Sequence, residues 1–345
     1  MFGRSAAHRA MTPQQVSPPL EVAWHFQTDD QVVASPVVRD HLAYVGSRDK
    51  KLYAIDTGKG SARWSFLAGD RLEGAAAVTE DLVCVGALSG SVYGVDVASG
   101  QLRWKASLGA SIRASCAIEG DSLFIGTRSG KLFRLDVERG DVAWEQQLPG
   151  EISASTAVAD GIAVVGCWDG ALHAHDAASG APLWTHRTQG PISAAPSIAD
   201  GVAYCGSDDN SLYALTLADG NLLWKRALPG HIRSAAAVGR ELVIFGCVDG
   251  RCYALSRETG DIVWATPTEE EILASPAISG DIVYIGSRDG ALYALDRPSG
   301  EVLWRHKTSY GIYSSPAVAE QTVFIGLGYY GIAALRPETR SGRPH

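Results

Sequence analysis

Apolar residues alternate with small or polar residues along most of the chain, in short segments separated by turn-forming residues. Residues 301–335 show the pattern in the segments EVLWRHKT, GIYSSPAV, TVFIGL and GIAAL. This period of two predicts β-strands, and no segment has the period of an amphipathic helix. Asp-Gly and Ser-Gly pairs, as at 169–170 and 129–130, favour tight hairpins in which the glycine has a positive φ. The chain is therefore predicted to be all-β.

The four-strand pattern recurs with a fixed period of 40 residues. Eight of the nine tryptophans mark this period: Trp24, Trp64, Trp104, Trp144, Trp184, Trp224, Trp264 and Trp304. A glycine 22 residues after each of them keeps the same spacing, from Gly46 to Gly326. A period of this length is typical of propellers and repeat arrays. We expect one domain, an eight-bladed β-propeller of four-stranded repeats at 21–340, between a disordered leader at 1–20 and a tail at 341–345.

Proline and tryptophan predict the order of the strands within each blade. The strand that contains Pro36, Pro196, Pro276 or Pro316 must be an edge strand, because proline has no N–H to donate. The Ala and Ser residues next to the proline are small enough for eight such strands to pack around a central channel. The tryptophan strand then lies at the outer edge, with its ring in the cleft between two blades. The array begins with a lone tryptophan strand and ends with three strands, so the first strand is expected to complete the last blade and close the ring.

Composition narrows the possible partners. Hydrophobic residues make up 46% and charged residues 20% of the chain, as in ordinary globular proteins, and no apolar run approaches the roughly 18 residues of a membrane span. The net charge of -8 argues against nucleic acid as a general partner, because phosphate binding needs a basic surface. We therefore expect a soluble protein that binds neither nucleic acid nor a membrane.

The cysteines and the first residues indicate the compartment. The six cysteines form no C-x-x-C pair, and although Cys247 and Cys252 could face each other across a hairpin, we expect free thiols. The first 20 residues show neither the apolar region of a secretory signal nor a lipid-attachment cysteine, and Met11 is an alternative start. These features predict a cytoplasmic protein, and we expect a monomer.

The repeat A-x-D-x-x-x-G-x-x-x-W, present as AIDTGKGSARW, ALDRPSGEVLW and ALSRETGDIVW, resembles that of the pyrroloquinoline-quinone-type (PQQ-like) β-propellers. The resemblance covers residues 21–340 and implies the propeller fold. The family includes quinone-dependent alcohol dehydrogenases, a lipoprotein of the outer-membrane barrel-assembly machine, and sensor or scaffold domains. The dehydrogenases hold the quinone and Ca²⁺ with Glu, Asn and Asp ligands beneath a disulfide of adjacent cysteines. This chain has no adjacent cysteine pair and no insertion, so we expect neither PQQ nor calcium, and no other cofactor.

Positions that differ between the repeats are free to serve function, because the blade fold does not fix them. Two such positions should open on one face of the disc: the approach to the inner strand and the turn that follows the second strand. Tyr329 and Tyr330 replace the usual Asp-Gly of that turn, and Trp168 is the one tryptophan outside the repeated position. The predicted binding site consists of Arg48, Glu73, Arg113, Arg128, Trp168, Asp208, Arg233, Arg288, Tyr313, Tyr329 and Tyr330.

Two functions remain open from the sequence. The first is a scaffold that binds a protein or ligand on this variable face. The second is a small-molecule enzyme of the lyase, isomerase or cyclase type, with its acid and base at the channel mouth among Glu73, Arg113 and Tyr313. His173, His175 and His186 are candidate metal ligands, but two of these positions are Tyr and Leu in the sister blades, which indicates packing, and no metal is expected. The aspartates at 56, 96, 136, 176 and 296 recur at one turn position, where we expect them to cap the turn.

Overall fold

The computed structural model describes residues 11–12, 14–329 and 331–338, and these residues are all-β. They form eight sheets, the blades, and each contains four antiparallel strands in the spatial order inner, second, third and outer strand. The inner strands are β3 (Val37–Arg39), β7 (Ala77–Val78), β11 (Ala117–Glu119), β15 (Ala157–Ala159), β19 (Ser197–Ala199), β23 (Ala237–Val238), β27 (Ala277–Ser279) and β31 (Ala317–Ala319). The second strands are β4 (Leu42–Gly46), β8 (Leu82–Gly86), β12 (Ser122–Gly126), β16 (Ile162–Cys167), β20 (Val202–Gly206), β24 (Leu242–Gly246), β28 (Ile282–Gly286) and β32 (Thr322–Gly326).

The third strands follow a tight turn. They are β5 (Lys51–Asp56), β9 (Ser91–Asp96), β13 (Lys131–Asp136), β17 (Ala171–Asp176), β21 (Ser211–Thr216), β25 (Arg251–Ser256), β29 (Ala291–Asp296) and β33 (Ile332–Pro337). The outer strands are β6 (Ala62–Leu67), β10 (Leu102–Ser107), β14 (Val142–Gln147), β18 (Pro182–Arg187), β22 (Leu222–Ala227), β26 (Ile262–Pro267), β30 (Val302–Lys307) and β2 (Leu20–Phe26). We number the blades 1 to 8 in chain order of their inner strands.

The ring closes as the sequence predicts. β2 pairs antiparallel with β33 and so supplies the outer strand of blade 8, whose other three strands come from the C-terminal end of the array. The inner strands β3 and β31 contact each other, which joins blade 1 to blade 8. The predicted eight-bladed propeller is confirmed, and the pairing of first and last strands leaves no open end in the array.

Tryptophan and glycine build the contacts between blades. The indole N–H of Trp104, on the outer strand of blade 2, donates to the Val137 carbonyl of blade 3 at 2.9 Å. Six other repeat tryptophans make the same bond to the residue 33 positions further along the chain. Each ring lies on a glycine of the next blade, as Trp104 lies on Gly140, whose φ is 74°. The predicted wedge between blades is therefore confirmed.

Serine links the inner strands around the channel. Ser155 Oγ accepts the backbone N–H of Ser115 in the preceding blade at 3.0 Å. Four other serines at the equivalent position accept a bond of this kind from the preceding blade: Ser35, Ser115, Ser275 and Ser315. The hydroxyl thus satisfies an inner-edge donor that no strand covers, at a position where only a small side chain fits.

Residues 14–20, part of the segment predicted to be disordered, pack against blade 7. Val16 is buried, its N–H donates to Ser279 Oγ at 2.9 Å, and its carbonyl accepts the Tyr284 hydroxyl at 2.7 Å. Residues 11 and 12 form β1 (Met11–Thr12), which pairs in parallel with β27 as a fifth strand of this blade. Described contacts with the propeller thus begin before the predicted boundary at residue 21.

Candidate functional site

One face of the disc, which we call the mouth face, carries the described residues that the sequence predicts for the site. It is formed by the segments that precede the inner strands and by the turns between second and third strands. Backbone hydrogen bonds hold the two together in blades 1 to 7, as where Trp168 N–H donates to Glu151 O and Arg288 N–H to Glu271 O, both at 3.0 Å. Gly170 at φ 80° and Gly290 at φ 83° close two of these turns, as the Asp-Gly pairs predict.

The central channel opens on the mouth face as a small polar cavity. Its volume is about 160 Å³, and its wall includes Glu73, Arg113, Ser153, Ser193 and Arg233. All five belong to the approach position that precedes the inner strand. Of the approach residues predicted for the site, Glu73, Arg113 and Arg233 therefore meet around one opening, whereas Tyr313 does not line it.

A carboxylate bridges three blades at this opening. Glu73 Oε1 accepts Arg48 Nη2 at 2.8 Å and Nε at 2.9 Å, and its Oε2 lies 3.3 Å from Arg113 Nε. Arg48 also donates from Nη1 to Gln31 Oε1 at 2.6 Å. Because Glu73 accepts from Arg48 through Oε1 and forms an ion pair with Arg113 through Oε2, the side chain is engaged as a bridge between guanidinium groups rather than free as a base.

Two further arginines pair across blade boundaries. Arg233 of blade 6 holds Asp208 of blade 5 through two bonds, Nε to Oδ1 at 3.1 Å and Nη2 to Oδ2 at 2.9 Å. This hydrogen bonding to Asp208 raises the pKa of Arg233. Arg128 of blade 3 donates to Glu151, on the approach to blade 4, at 2.8 Å. Such pairs fix the orientation of long side chains that would otherwise be flexible.

Aromatic side chains occupy two places on the mouth face. On blade 4, the Trp168 indole N–H donates to Ser153 Oγ at 2.8 Å. On blades 7 and 8, Arg288 donates to Glu271 at 2.6 Å while its guanidinium carbon lies 5.7 Å from the centre of the Tyr313 ring. The hydrogen bond to Glu271, followed by the interaction with Tyr313, raises the pKa of Arg288.

Tyr310 and Tyr329 extend the second aromatic group. Their rings meet edge to face with centroids 5.9 Å apart. Together with Tyr313 and Arg288 they form what we call the tyrosine patch. Tyr330, also predicted for the site, lies outside the described residues.

The sequence prediction missed a third variable position on this face. It precedes the approach position by two residues and supplies Gln31, Glu151 and Glu271, each of which binds a predicted arginine. Tyr310 was also missed. The signal was available, because the residues at 31, 151 and 271 occupy one repeat position and differ between blades.

The three histidines considered as metal ligands do not converge. His175 Nδ1 is 3.0 Å from the Gly180 carbonyl, and the His186 ring packs on Tyr213 of the next blade with centroids 5.6 Å apart. His173, by contrast, lies beside Cys167 and Asp169. The aspartates of the repeat cap turns as predicted, as Asp56 does by accepting the N–H groups of residues 58 and 59.

All six cysteines are free thiols and are buried, which agrees with the prediction. Burial raises the pKa of Cys167 to about 11 and that of Cys247 to about 12. Cys247 and Cys252 are not joined. Among the described residues, no helix has the length and apolar character needed to cross a membrane.

Two family profiles match the sequence in adjoining parts. The family described as the β-propeller of β-alanine-activating enzyme matches residues 119–333, and the family described as outer membrane protein assembly factor BamB matches residues 21–119. The first match alone spans more than half of the chain. No curated protein matches the chain at a significant level of sequence similarity.

Solved structures share the fold over nearly the whole chain. BamB from Moraxella catarrhalis is 22% identical with a TM-score of 0.81, and the alignment covers 95% of this chain and 100% of BamB. The computationally designed Ika8 protein is 18% identical with a TM-score of 0.82, over 94% of this chain and 99% of Ika8. The quinohemoprotein alcohol dehydrogenase of Comamonas testosteroni is 15% identical with a TM-score of 0.85, over 99% of this chain and 81% of the enzyme. At these identities the likeness concerns the fold alone.

Proposed function

From the membership of this chain in the PQQ-like β-propeller family, which includes the propeller of β-alanine-activating enzyme, we propose that the protein is a binding scaffold that docks a polypeptide on its mouth face. One observation carries the proposal: large aromatic side chains stand exposed on this face at positions where the sister blades have small, polar or aliphatic residues. The fold does not need them there, so a partner is the best account of their presence.

The exposure of these aromatic residues is high. Trp168 is 49% exposed, Tyr313 45% and Tyr329 56%. Trp168 occupies the position of Val248 and Asp208, and Tyr313 that of Ser153. Trp, Tyr and Arg are the residue types that contribute most binding energy in protein interfaces. The aromatic rings of Trp and Tyr each bury a large area. Trp168 lies on blade 4 and the tyrosine patch on blades 7 and 8, so a partner that contacts both would span the channel.

The size of the cavity favours a polypeptide over an enclosed small molecule. Pockets that enclose drug-sized ligands measure about 300–1,000 Å³, whereas the channel mouth measures about 160 Å³. A partner must therefore lie across the face and place only a side chain or a small group in the opening. The alternative function, a small-molecule enzyme with its site in the channel mouth, is therefore limited to substrates smaller than a drug-sized molecule.

The ion pairs prepare this face for binding. Arg48, Arg113 and Arg233 are each held by a carboxylate, so little side-chain freedom remains to be lost when a partner docks. A guanidinium has five N–H donors, and the pairs use only some of them. The remaining donors favour a partner segment that offers carboxylate or carbonyl oxygens.

We also propose that the protein acts in the cytoplasm as a monomer. Six free, buried thiols support a reducing compartment, where structural disulfides are rare. The measurement for the oligomeric state is sedimentation equilibrium, with a mass near that of one chain expected.

The test of the scaffold function is affinity capture from the cells that make the protein, followed by native mass spectrometry. The variant Trp168→Val/Tyr313→Ser places sister-blade residues on the mouth face, so it should keep the fold. Lys59→Ala, in the turn at the opposite end of β5, is the matched control. We expect a stoichiometric polypeptide on the wild type and on Lys59→Ala, and at least about a tenfold loss on the double variant.

Two results would contradict the proposal. A polypeptide retained equally by all three proteins would place the partner elsewhere on the disc. A retained small molecule, with turnover and no polypeptide, would favour the alternative enzyme at the channel mouth. Circular dichroism of the double variant checks that any loss arises from the changed surface.

A further inference from the structure

Blade 4 departs from the other blades at a second set of positions, beneath the turn that carries Trp168. The end of β16, the turn and the middle of β17 bring together Cys167, Asp169 and His173. Blades 1, 5 and 7 place Ser, Asp and Tyr at these positions. In blade 1 these are Ser47, Asp49 and Tyr53, and the tyrosine hydroxyl donates to the aspartate at 2.6 Å. Only blade 4 combines a thiol, a carboxylate and an imidazole.

The three groups are close enough to share one ion. Cys167 Sγ, a carboxylate oxygen of Asp169 and a ring nitrogen of His173 all lie within 4.8 Å of one another. His173 Nε2 is 3.0 Å from Asp169 Oδ2. Ligand atoms about 2.0–2.1 Å from a tetrahedral zinc are about 3.3 Å apart, so this pair needs little movement, and Cys167 needs about 1 Å at most. The thiol is buried, and the side chains of His173 and Asp169 are nearly so.

We propose that blade 4 binds one divalent metal ion of the zinc type through Cys167 Sγ, Asp169 Oδ2 and His173 Nε2, with the fourth position left to water or an exogenous ligand. This inference does not rest on the proposed scaffold function. Thiolate and imidazole ligands select Zn²⁺ over Ca²⁺ or Mg²⁺, which prefer oxygen. On binding, the metal–sulfur bond replaces the S–H bond, and the thiol proton passes to solvent.

Neighbouring groups already orient the ligands. Ala171 N–H donates to Asp169 Oδ1 at 3.1 Å, and of the two carboxylate oxygens Oδ2 lies nearer to His173 Nε2, at 3.0 Å against 3.3 Å for Oδ1. His173 Nδ1 lies 3.4 Å from Thr185 Oγ1, so metal on Nε2 would place the ring proton on Nδ1 toward this hydroxyl. Blade 5 has Lys225 in place of Thr185, and its ammonium lies 3.5 Å from Asp209 Oδ2. No such lysine competes for Asp169, because Thr185 occupies the equivalent position.

Glycine leaves room beside the sulfur. A Cβ on Gly150, in the segment that precedes blade 4, would lie 3.2 Å from Cys167 Sγ and 2.5 Å from the Asp169 nitrogen. The backbone of this segment therefore packs directly on the candidate site. A metal here would join the second strand, the turn and the third strand of one blade, and its open position would lie under the turn that presents Trp168.

The test is a titration of the full, tag-free chain with Co²⁺ and then Zn²⁺, after removal of metal by a chelator and in a non-thiol reductant. Co²⁺ should give a thiolate charge-transfer band in the near ultraviolet with a stoichiometry of one, and Zn²⁺ should displace it. Cys167→Ser and His173→Tyr introduce sister-blade residues, so both should fold. Each substitution should weaken metal binding by more than the roughly 10–100-fold that is typical when a residue hydrogen-bonded to a metal ligand is lost.

Blade 6 supplies the control and a gain of function. It carries Cys247 and Asp249 but has Tyr253 in place of the histidine. Cys247→Ser should leave the titration unchanged, whereas Tyr253→His should raise the stoichiometry from one to two. Absence of a thiolate band in the wild type would overturn the proposal, and so would a band that survives both blade 4 substitutions.

Discussion

The wedge between blades makes a quantitative prediction at Trp104 and Gly140. The Trp104 ring is buried, and a Cβ on Gly140 would lie 2.7 Å from its Cδ2 atom. Trp104→Ala should lower the free energy of unfolding by about 3–5 kcal/mol, the usual cost of removing a buried tryptophan. Trp104→Phe keeps most of the ring but leaves the Val137 carbonyl without its donor, so it should cost about 1–3 kcal/mol.

The effect of Gly140→Ala should depend on the tryptophan. The φ of 74° at Gly140 costs an alanine about 1–2 kcal/mol in any background. The overlap with the Trp104 ring adds to this cost only while the ring is present. The double variant Trp104→Ala/Gly140→Ala should therefore lose less than the sum of the single variants, with a coupling energy of about 1 kcal/mol or more.

Gly161 provides the matched control. Its φ is also 74°, but a Cβ there would meet no atom within 4 Å. Gly161→Ala should show the backbone cost alone and no coupling to Trp104→Ala. The assay is urea unfolding followed by far-ultraviolet circular dichroism, which is insensitive to the loss of one fluorophore. A cost of Gly140→Ala no larger than that of Gly161→Ala, or equal with and without Trp104, would show that the ring does not wedge against this glycine.

Three further substitutions test the mouth face, the inner ring and the pH dependence. Glu73→Gln should lower the free energy of unfolding by about 1 kcal/mol at low salt and by less at high salt, because the arginine partners of Glu73 are partly exposed. The control is Asp40→Asn in the exposed pair with Arg39, which should change the free energy of urea unfolding by less than about 0.5 kcal/mol. A loss at Glu73 that does not depend on salt would contradict the bridge. Ser155→Ala should destabilise the protein by about 1 kcal/mol and Ala195→Ser should stabilise it by a similar amount, since serine at this position accepts an N–H of the preceding blade. Effects of the same sign in thermal unfolding would contradict this role of the inner serines. Burial lowers the pKa of His306 below 6.5, so its contribution to stability is present above that pH and is lost as the pH falls through the pKa of the folded state. His306→Phe should therefore flatten the dependence of the free energy of unfolding on pH between about pH 7 and 5. An unchanged slope would contradict this assignment.

The fold could be predicted from the sequence because each packing feature recurs in eight repeats. One tryptophan suggests a buried ring, but eight at a spacing of 40 residues define a wedge, a blade count and the length of a blade. The edge position of the inner strand followed from proline at Pro36 and its equivalents, because a missing N–H is a local property. These predictions depend on backbone geometry, which short-range sequence largely determines.

The partners of the charged residues could not be predicted in the same way. Arg48 pairs with Glu73 of the next blade, whereas Arg288 pairs with Glu271 of its own. A long side chain can reach either neighbour, and the choice depends on which acid the adjacent blade presents. The docking of residues 14–20 was missed for a related reason, because it depends on two side chains of blade 7, Ser279 and Tyr284, and on no repeated feature.

Departures from the repeat carry more information about function than the repeat itself. Trp104 or Asp56 would mark a site in an ordinary enzyme, but here their recurrence identifies them as parts of the blade. Blade 4 departs at three positions of one hairpin: it presents Trp168 to solvent above the turn and places Cys167 and His173 below it. The two proposals therefore concern opposite sides of the same turn and separate in experiment, since the scaffold depends on the exposed indole and the metal site on the buried thiol and imidazole. If both hold, an ion beneath the turn would fix the backbone that presents Trp168, and docking would strengthen when metal is bound.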